Sequence, residues 1–161
     1  MQKPLSAGGM GAVYVVEQLQ TGRTRALKLM HPQLAKDARF RERFEREARI
    51  SATIQSDHVV EVVDAGVDDA SGMPWIAMEL LRGEDLLQLV DRRGALPPAE
   101  VLTIFKELCH ALSAAHEAGI VHRDLKPENI FMSKSQRAGA GKTVKVLDFG
   151  IAKLVANAQT K

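Results

Sequence analysis

The chain has one cysteine, Cys109, in 161 residues. A lone thiol closes no internal disulfide, so no cross-link framework is expected, and the usage fits a cytoplasmic, reducing setting. No apolar run is long enough to span a bilayer, and the amino terminus lacks a secretory pattern. No polybasic tract is present. Lys and Arg number 22 against 20 Asp and Glu, interspersed, for a net charge of +2. That balance gives no reason to expect nucleic acid as a partner. His31, His58, His110 and His116 are scattered without metal-ligand spacing and read as surface or packing residues. No internal repeat is visible. What the chain does have is an apolar content of 45%, enough for a globular core.

Turn signals divide that core into elements. Thr21-Gly22 and Asp68-Asp69-Ala70-Ser71-Gly72 punctuate an order of strand, strand, strand, helix, strand, strand. The first strand is expected to be short, ending at Leu5. Phe40, Phe44, Ala48, Ser51 and Ile54 recur at helical spacing. Arg82-Gly83 marks a crossing into a second part, with a short helix from Asp85 to about Asp91. Pro97-Pro98 opens a longer helix ending near Gly119. Its apolar residues, Val101, Leu102, Ile104, Phe105, Leu108, Cys109, Ala111, Leu112, Ala114 and Ala115, cover much of its circumference. Such a helix expects burial, and Cys109 reads as one of its core residues. The fold class is α+β.

Three stretches carry chemistry. Leu5-Ser6-Ala7-Gly8-Gly9-Met10-Gly11-Ala12-Val13 is a glycine-rich turn, whose backbone N–H groups can approach phosphate oxygens closely. A plain hairpin turn has the same composition. Arg25-Ala26-Leu27-Lys28-Leu29 is a strand with one lysine in it. A buried lysine needs a partner, whereas one on an edge strand is merely solvated. Val121-His122-Arg123-Asp124-Leu125-Lys126-Pro127-Glu128-Asn129-Ile130, followed by Val146-Leu147-Asp148-Phe149-Gly150, places a carboxylate, an ammonium and a carboxamide close together, with a second carboxylate downstream. Those are oxygen ligands that suit magnesium, and groups that suit a phosphate.

The last stretch resembles the catalytic loop and metal-binding triplet of eukaryotic-type serine/threonine protein kinases, in the Gly-Gly-Met-Gly form of bacterial members. The resemblance implies transfer of the ATP γ-phosphate to protein Ser/Thr hydroxyls, with ATP and Mg2+ held between the strand-rich and helical parts. By that resemblance Asp124 is the catalytic base, Lys126 reaches the transferred phosphate, and Asn129 and Asp148 hold magnesium. Leu5, Gly8, Gly9, Gly11, Val13 and Ala26 would surround the nucleotide. Lys28 would bind its phosphates and pair with Glu47, and the backbone of Glu79 and Leu81 would meet the adenine edge, with Met78 behind it. His122 is implied to pack beside the metal triplet. Two positions depart from the family pattern. Ser6 replaces the first glycine, and Ser51 stands where a bulky apolar residue is usual.

The resemblance implies two domains: residues 1–81 as the small lobe and hinge, and residues 82–161 as part of the large lobe. A family member would continue into an activation segment and further helices after Gly150, so the chain reads as a truncated kinase domain. A protein substrate, or a partner covering the long helix, is the implied macromolecular contact. A non-catalytic nucleotide-binding or interaction module would carry the same motifs and remains the alternative. The interval between Asp124 and Asp148 is several residues longer than usual, which a lengthened hairpin loop over Ser133–Thr143 would accommodate.

Overall fold

The structure is a computed structural model that describes residues 4–8, 11–35, 38–134 and 141–149. It divides into two compact units. One comprises the chain up to Thr53 together with Glu61–Leu80, and the other Ile54–Val60 with Leu81–Phe149.

The first unit is a five-stranded antiparallel sheet with a helix against one face. Its strands are β1 (Ser6–Gly8), β2 (Gly11–Gln18), β3 (Arg23–Met30), β4 (Val62–Val67) and β5 (Pro74–Glu79), in the order β1-β2-β3-β5-β4. β1 lies inside the glycine-rich stretch, not before it. Ser6 pairs with Val13 and Gly8 with Gly11, so the segment past Leu5 is already strand. The alternation of β3 sets the core. Ala26, Lys28 and Met30 are buried on one face, as period-2 geometry requires.

A one-turn helix, α1 (Pro32–Ala35), was not signalled by any periodicity. It precedes α2 (Ala38–Ser51). The helical spacing read from the sequence places Phe40, Phe44, Ala48 and Ser51 on the buried face of α2. Phe40 and Phe44, one turn apart, stack at 6.3 Å. With Met30 and Ile76 they form the core of this unit.

The second unit joins a three-stranded sheet to two helices. β6 (Gly83–Asp85), β7 (Ile130–Lys134) and β8 (Lys142–Val146) lie in that order, with α3 (Leu86–Arg93) and α4 (Pro98–Glu117). Asp85 caps α3 in a capping box with Gln88. The helix therefore begins at Leu86, one residue inside its expected start. β7 and β8 are antiparallel. The expected lengthening falls on residues 135–140, which lie outside the described residues.

Helix α4 buries Ile104, Leu108, Ala111 and Ala115, a single stripe of i, i+4, i+7 and i+11. They pack with Leu89, Ile130, Met132, Val144, Val146 and Phe149. Cys109 is not in the core as its spacing suggested. It is exposed, because it lies about 100° around the helix from Leu108. Leu102 and Phe105 are also exposed, at 57% and 58%. No described helix is long and apolar enough to cross a membrane.

Candidate functional site

The site in the second unit begins where α4 ends. The Ile120 N–H bonds the Ala115 carbonyl at 2.8 Å and the Gly119 N–H bonds the His116 carbonyl at 2.9 Å. This is a Schellman turn, and Gly119 takes the left-handed φ of +75° that it demands. Buried Ile120 then anchors the chain as it enters the loop Val121–Lys126.

His122 is 2% exposed and bonds on both sides. Its Nε2 lies 2.7 Å from the Leu147 carbonyl oxygen, and its Nδ1 accepts the Asp124 N–H at 3.3 Å. A carbonyl only accepts, so Nε2 carries the proton and Nδ1 is bare; the neutral tautomer satisfies both partners. The ring meets Phe149 edge-on at 4.7 Å, consistent with the packing role expected of it. Backbone strain is stored at two points, one in this loop and one just past Leu147. Arg123 (φ +64°) and Asp148 (φ +58°) are left-handed without being glycine, a conformation that costs roughly 1–3 kcal/mol each.

Asp124, Lys126 and Asn129 come together. A single 3-10 turn, Pro127–Asn129, folds Asn129 back on the loop. Its Nδ2 donates to the Asp124 backbone oxygen at 2.8 Å and to Asp124 Oδ2 at 3.1 Å. The Lys126 ammonium lies 3.4 Å from the same Oδ2. With both amide hydrogens of Asn129 engaged, its oxygen is the group left to face a cation. Asn129 is buried and its backbone oxygen accepts the Leu147 N–H at 2.9 Å. This ties it one residue away from Asp148, which is half-buried. No cluster of three His, Cys, Asp or Glu exists among the described residues. One carboxylate and one carboxamide oxygen still fit magnesium, which keeps waters and takes its remaining ligands from phosphate oxygens.

The first unit holds the other expected residues. Lys28 is 7% exposed and hydrogen-bonded or paired, so the solvated edge-strand reading fails. Val13 is its register partner on β2, and Val15 pairs with Ala26. The Leu5 N–H donates to the Val13 carbonyl at 2.7 Å, although the Leu5 side chain is 59% exposed. Gly11 is required by its neighbour. A Cβ there would lie 2.0 Å from the Leu29 carbonyl oxygen, at a φ of +147°. The Glu79 N–H donates to the Glu61 carbonyl at 3.0 Å, and its carboxylate accepts the Glu61 N–H at 2.9 Å. Leu81 follows β5 and is half-buried. Gly9 and Gly150 lie outside the described residues, as does the Glu47 side chain on α2. Ser51 is buried on the inner face of that helix.

A five-stranded sheet with the long helix α2, joined in sequence to a helical part bearing this loop, is the make-up of a protein kinase domain. The chain belongs to that family: the protein kinase domain matches residues 1–161. It is 43% identical to the serine/threonine-protein kinase pkn2 of Myxococcus xanthus over 153 residues, which is 95% of this chain and 18% of that protein. It is 40% identical to PknH of Mycobacterium tuberculosis over 152 residues, 94% of this chain and 23% of that protein. Among solved structures it is similar to the kinase domain of Mycobacterium tuberculosis PknI, with a TM-score of 0.78 and 37% identity, covering 92% of this chain and 58% of that one. The chain therefore spans about a fifth of the length of these two curated relatives.

Proposed function

We propose that the chain binds magnesium-ATP and serves the transfer of its γ-phosphate to serine or threonine hydroxyls of a protein substrate. The observation that carries this reading is the Asp124 carboxylate, held by Asn129 at 3.1 Å and Lys126 at 3.4 Å through one oxygen, Oδ2. Its other oxygen, Oδ1, is then the acceptor for a hydroxyl proton. As the hydroxyl oxygen attacks phosphorus, that proton passes to Oδ1 and the bond to the leaving diphosphate oxygen breaks. Lys126 sits where it can offset charge on the transferred group. Asn129 and Asp148 would hold the divalent cation, which neutralises phosphate charge when bound. Lys28, buried on β3, supplies an ammonium for the other phosphates, and the backbone amides of β1 and β2 around Gly8 and Gly11 supply further donors. The serine/threonine preference rests on Lys126, two residues after the base.

The test separates binding from transfer. Asp124→Asn should lower radiolabel transfer to serine/threonine peptides by about 10²–10⁴-fold while nucleotide affinity, measured by calorimetry, stays within about twofold. Lys28→Met should instead weaken magnesium-ATP binding by at least about tenfold. Binding without transfer in the unmodified chain would favour the non-catalytic module. Full transfer by Asp124→Asn would remove Asp124 from the role of base.

A further inference from the structure

We propose that Glu107 and His58 are positioning residues that hold the strand leading to Asp148 in register, an inference that rests on the kinase reading above. β8 is the outer strand of its sheet, after β6 and β7. An outer strand presents unpaired N–H and C=O groups on its free side. Here Val144 and Val146 supply them, and all four are met. The Val144 N–H donates to Glu107 Oε2 at 2.7 Å. Its carbonyl oxygen lies 3.2 Å from His58 Nδ1. The Val146 N–H donates to the His58 carbonyl at 2.8 Å, and the Val146 carbonyl accepts the Val60 N–H at 3.0 Å.

Two of these four contacts, those of Val146, are the ordinary backbone kind that a strand makes with a neighbouring segment; the two at Val144 are made by side chains. Of those two, the Glu107 contact is the charged one. A carboxylate from the middle of α4 reaches the strand edge and accepts a backbone N–H, a charge-assisted bond stronger than a neutral one. The same oxygen lies 3.6 Å from His58 Nδ1. Because the Val144 carbonyl can only accept, Nδ1 carries its proton and points into the space shared by that carbonyl and Glu107. The two side chains are 22% and 24% exposed, so water competes only in part. His110, one helical step from Glu107, stacks on the His58 ring at 5.9 Å. From β8 itself, the Lys145 ammonium donates to the Val59 carbonyl at 3.2 Å.

The consequence lies further along the strand. From Val144 to Leu147 the chain is fixed in turn, at Val144 by Glu107 and His58, at Val146 by residues 58 and 60, and at Leu147 by Asn129 and His122. Asp148 follows in a strained left-handed conformation. Strain persists only where the surroundings over-determine it. Release of the Val144 end lets the strand relax, and the Asp148 carboxylate leaves the position that a cation shared with Asn129 needs.

The experiment compares the unmodified chain with Glu107→Ala and Glu107→Gln. The probe is a non-hydrolysable ATP analogue, titrated with and without magnesium, together with hydrogen exchange at the Val144 amide. In Glu107→Ala the gain in affinity on adding magnesium should fall at least fivefold, with metal-free affinity within twofold of the parent. Glu107→Gln keeps an acceptor oxygen for the Val144 N–H and should restore the gain to within twofold. A merely structural residue would weaken both affinities together. An unchanged magnesium gain in Glu107→Ala, or no recovery in Glu107→Gln, overturns the proposal. Should Glu107→Ala not fold, fast exchange of the Val144 amide in the unmodified chain, or in Glu107→Gln, overturns it equally. Absence of any magnesium-dependent binding in the unmodified chain defeats the kinase reading instead, and the positioning role with it.

Discussion

Replacing Asn129 by aspartate changes one NH2 group into oxygen, yet the structure makes it one of the most damaging substitutions in the loop. In the native chain Nδ2 donates to the Asp124 backbone oxygen and to Asp124 Oδ2. Asn129→Asp removes both donors. One bond is neutral and one is to a charged group, so their loss costs about 2–4 kcal/mol. It also sets a second carboxylate against the first. Two unit charges at the present 3.1 Å separation repel by about 5 kcal/mol at an effective dielectric constant of about 20. Lys126, 3.4 Å from Asp124, offsets part of this. The total still rivals the ~5–15 kcal/mol that holds a domain together.

The sign of the pH effect follows. One carboxyl of the new pair has its pKa raised in the folded state, so the penalty is present above that value and relieved below it. Asn129→Ala loses the hydrogen bonds without adding charge. Urea denaturation of both variants at pH 7 and pH 5 reads the difference. Asn129→Asp should be the less stable at pH 7, and the gap should close by at least about 2 kcal/mol at pH 5. Equal stability of the two variants at both pH values would show that Asn129 does not face the Asp124 carboxylate as described.

Two further outcomes are expected. Gly11→Ala should destabilise the fold by more than about 1 kcal/mol in chemical denaturation, because the new Cβ meets the Leu29 carbonyl at 2.0 Å; a neutral result would mean the turn is not built this way. Hydrogen bonds from Arg92, then Lys142, hold the Glu84 carboxyl at about 2 against an unperturbed 4.5, so its contribution should be complete above pH 4.5, lost as pH falls toward about 2, weakened by salt, and missing from the acid titration of Glu84→Gln.

The sequence was most informative where residue type and spacing state a requirement directly. Phe40, Phe44, Ala48 and Ser51 repeat with the helical period, and all four are buried on α2. Pro98 and Gly119 bracket α4 because each has a backbone conformation suited to its end of a helix. The loop that joins Asp124, Lys126 and Asn129 was legible because all three belong to one turn of chain, so the fold need only bend locally to unite them. Cys109 failed for a related reason. Its helix is apolar nearly all round, and periodicity cannot choose among several apolar stripes; the sheet chose the one through Leu108 and Ala111. The surroundings of Asp148 were illegible for a different cause. Glu107 reaches Val144 across 37 positions, and His58 reaches it across 86. Both bonds are to backbone groups, which every residue carries, so neither partner leaves a mark in the sequence. His58 therefore read as one more scattered histidine, and nothing in the sequence singled out Glu107. Asp124, Lys126 and Asn129 announce themselves by residue type, whereas Glu107 and His58 meet peptide groups and become visible only when the strand edge is in place.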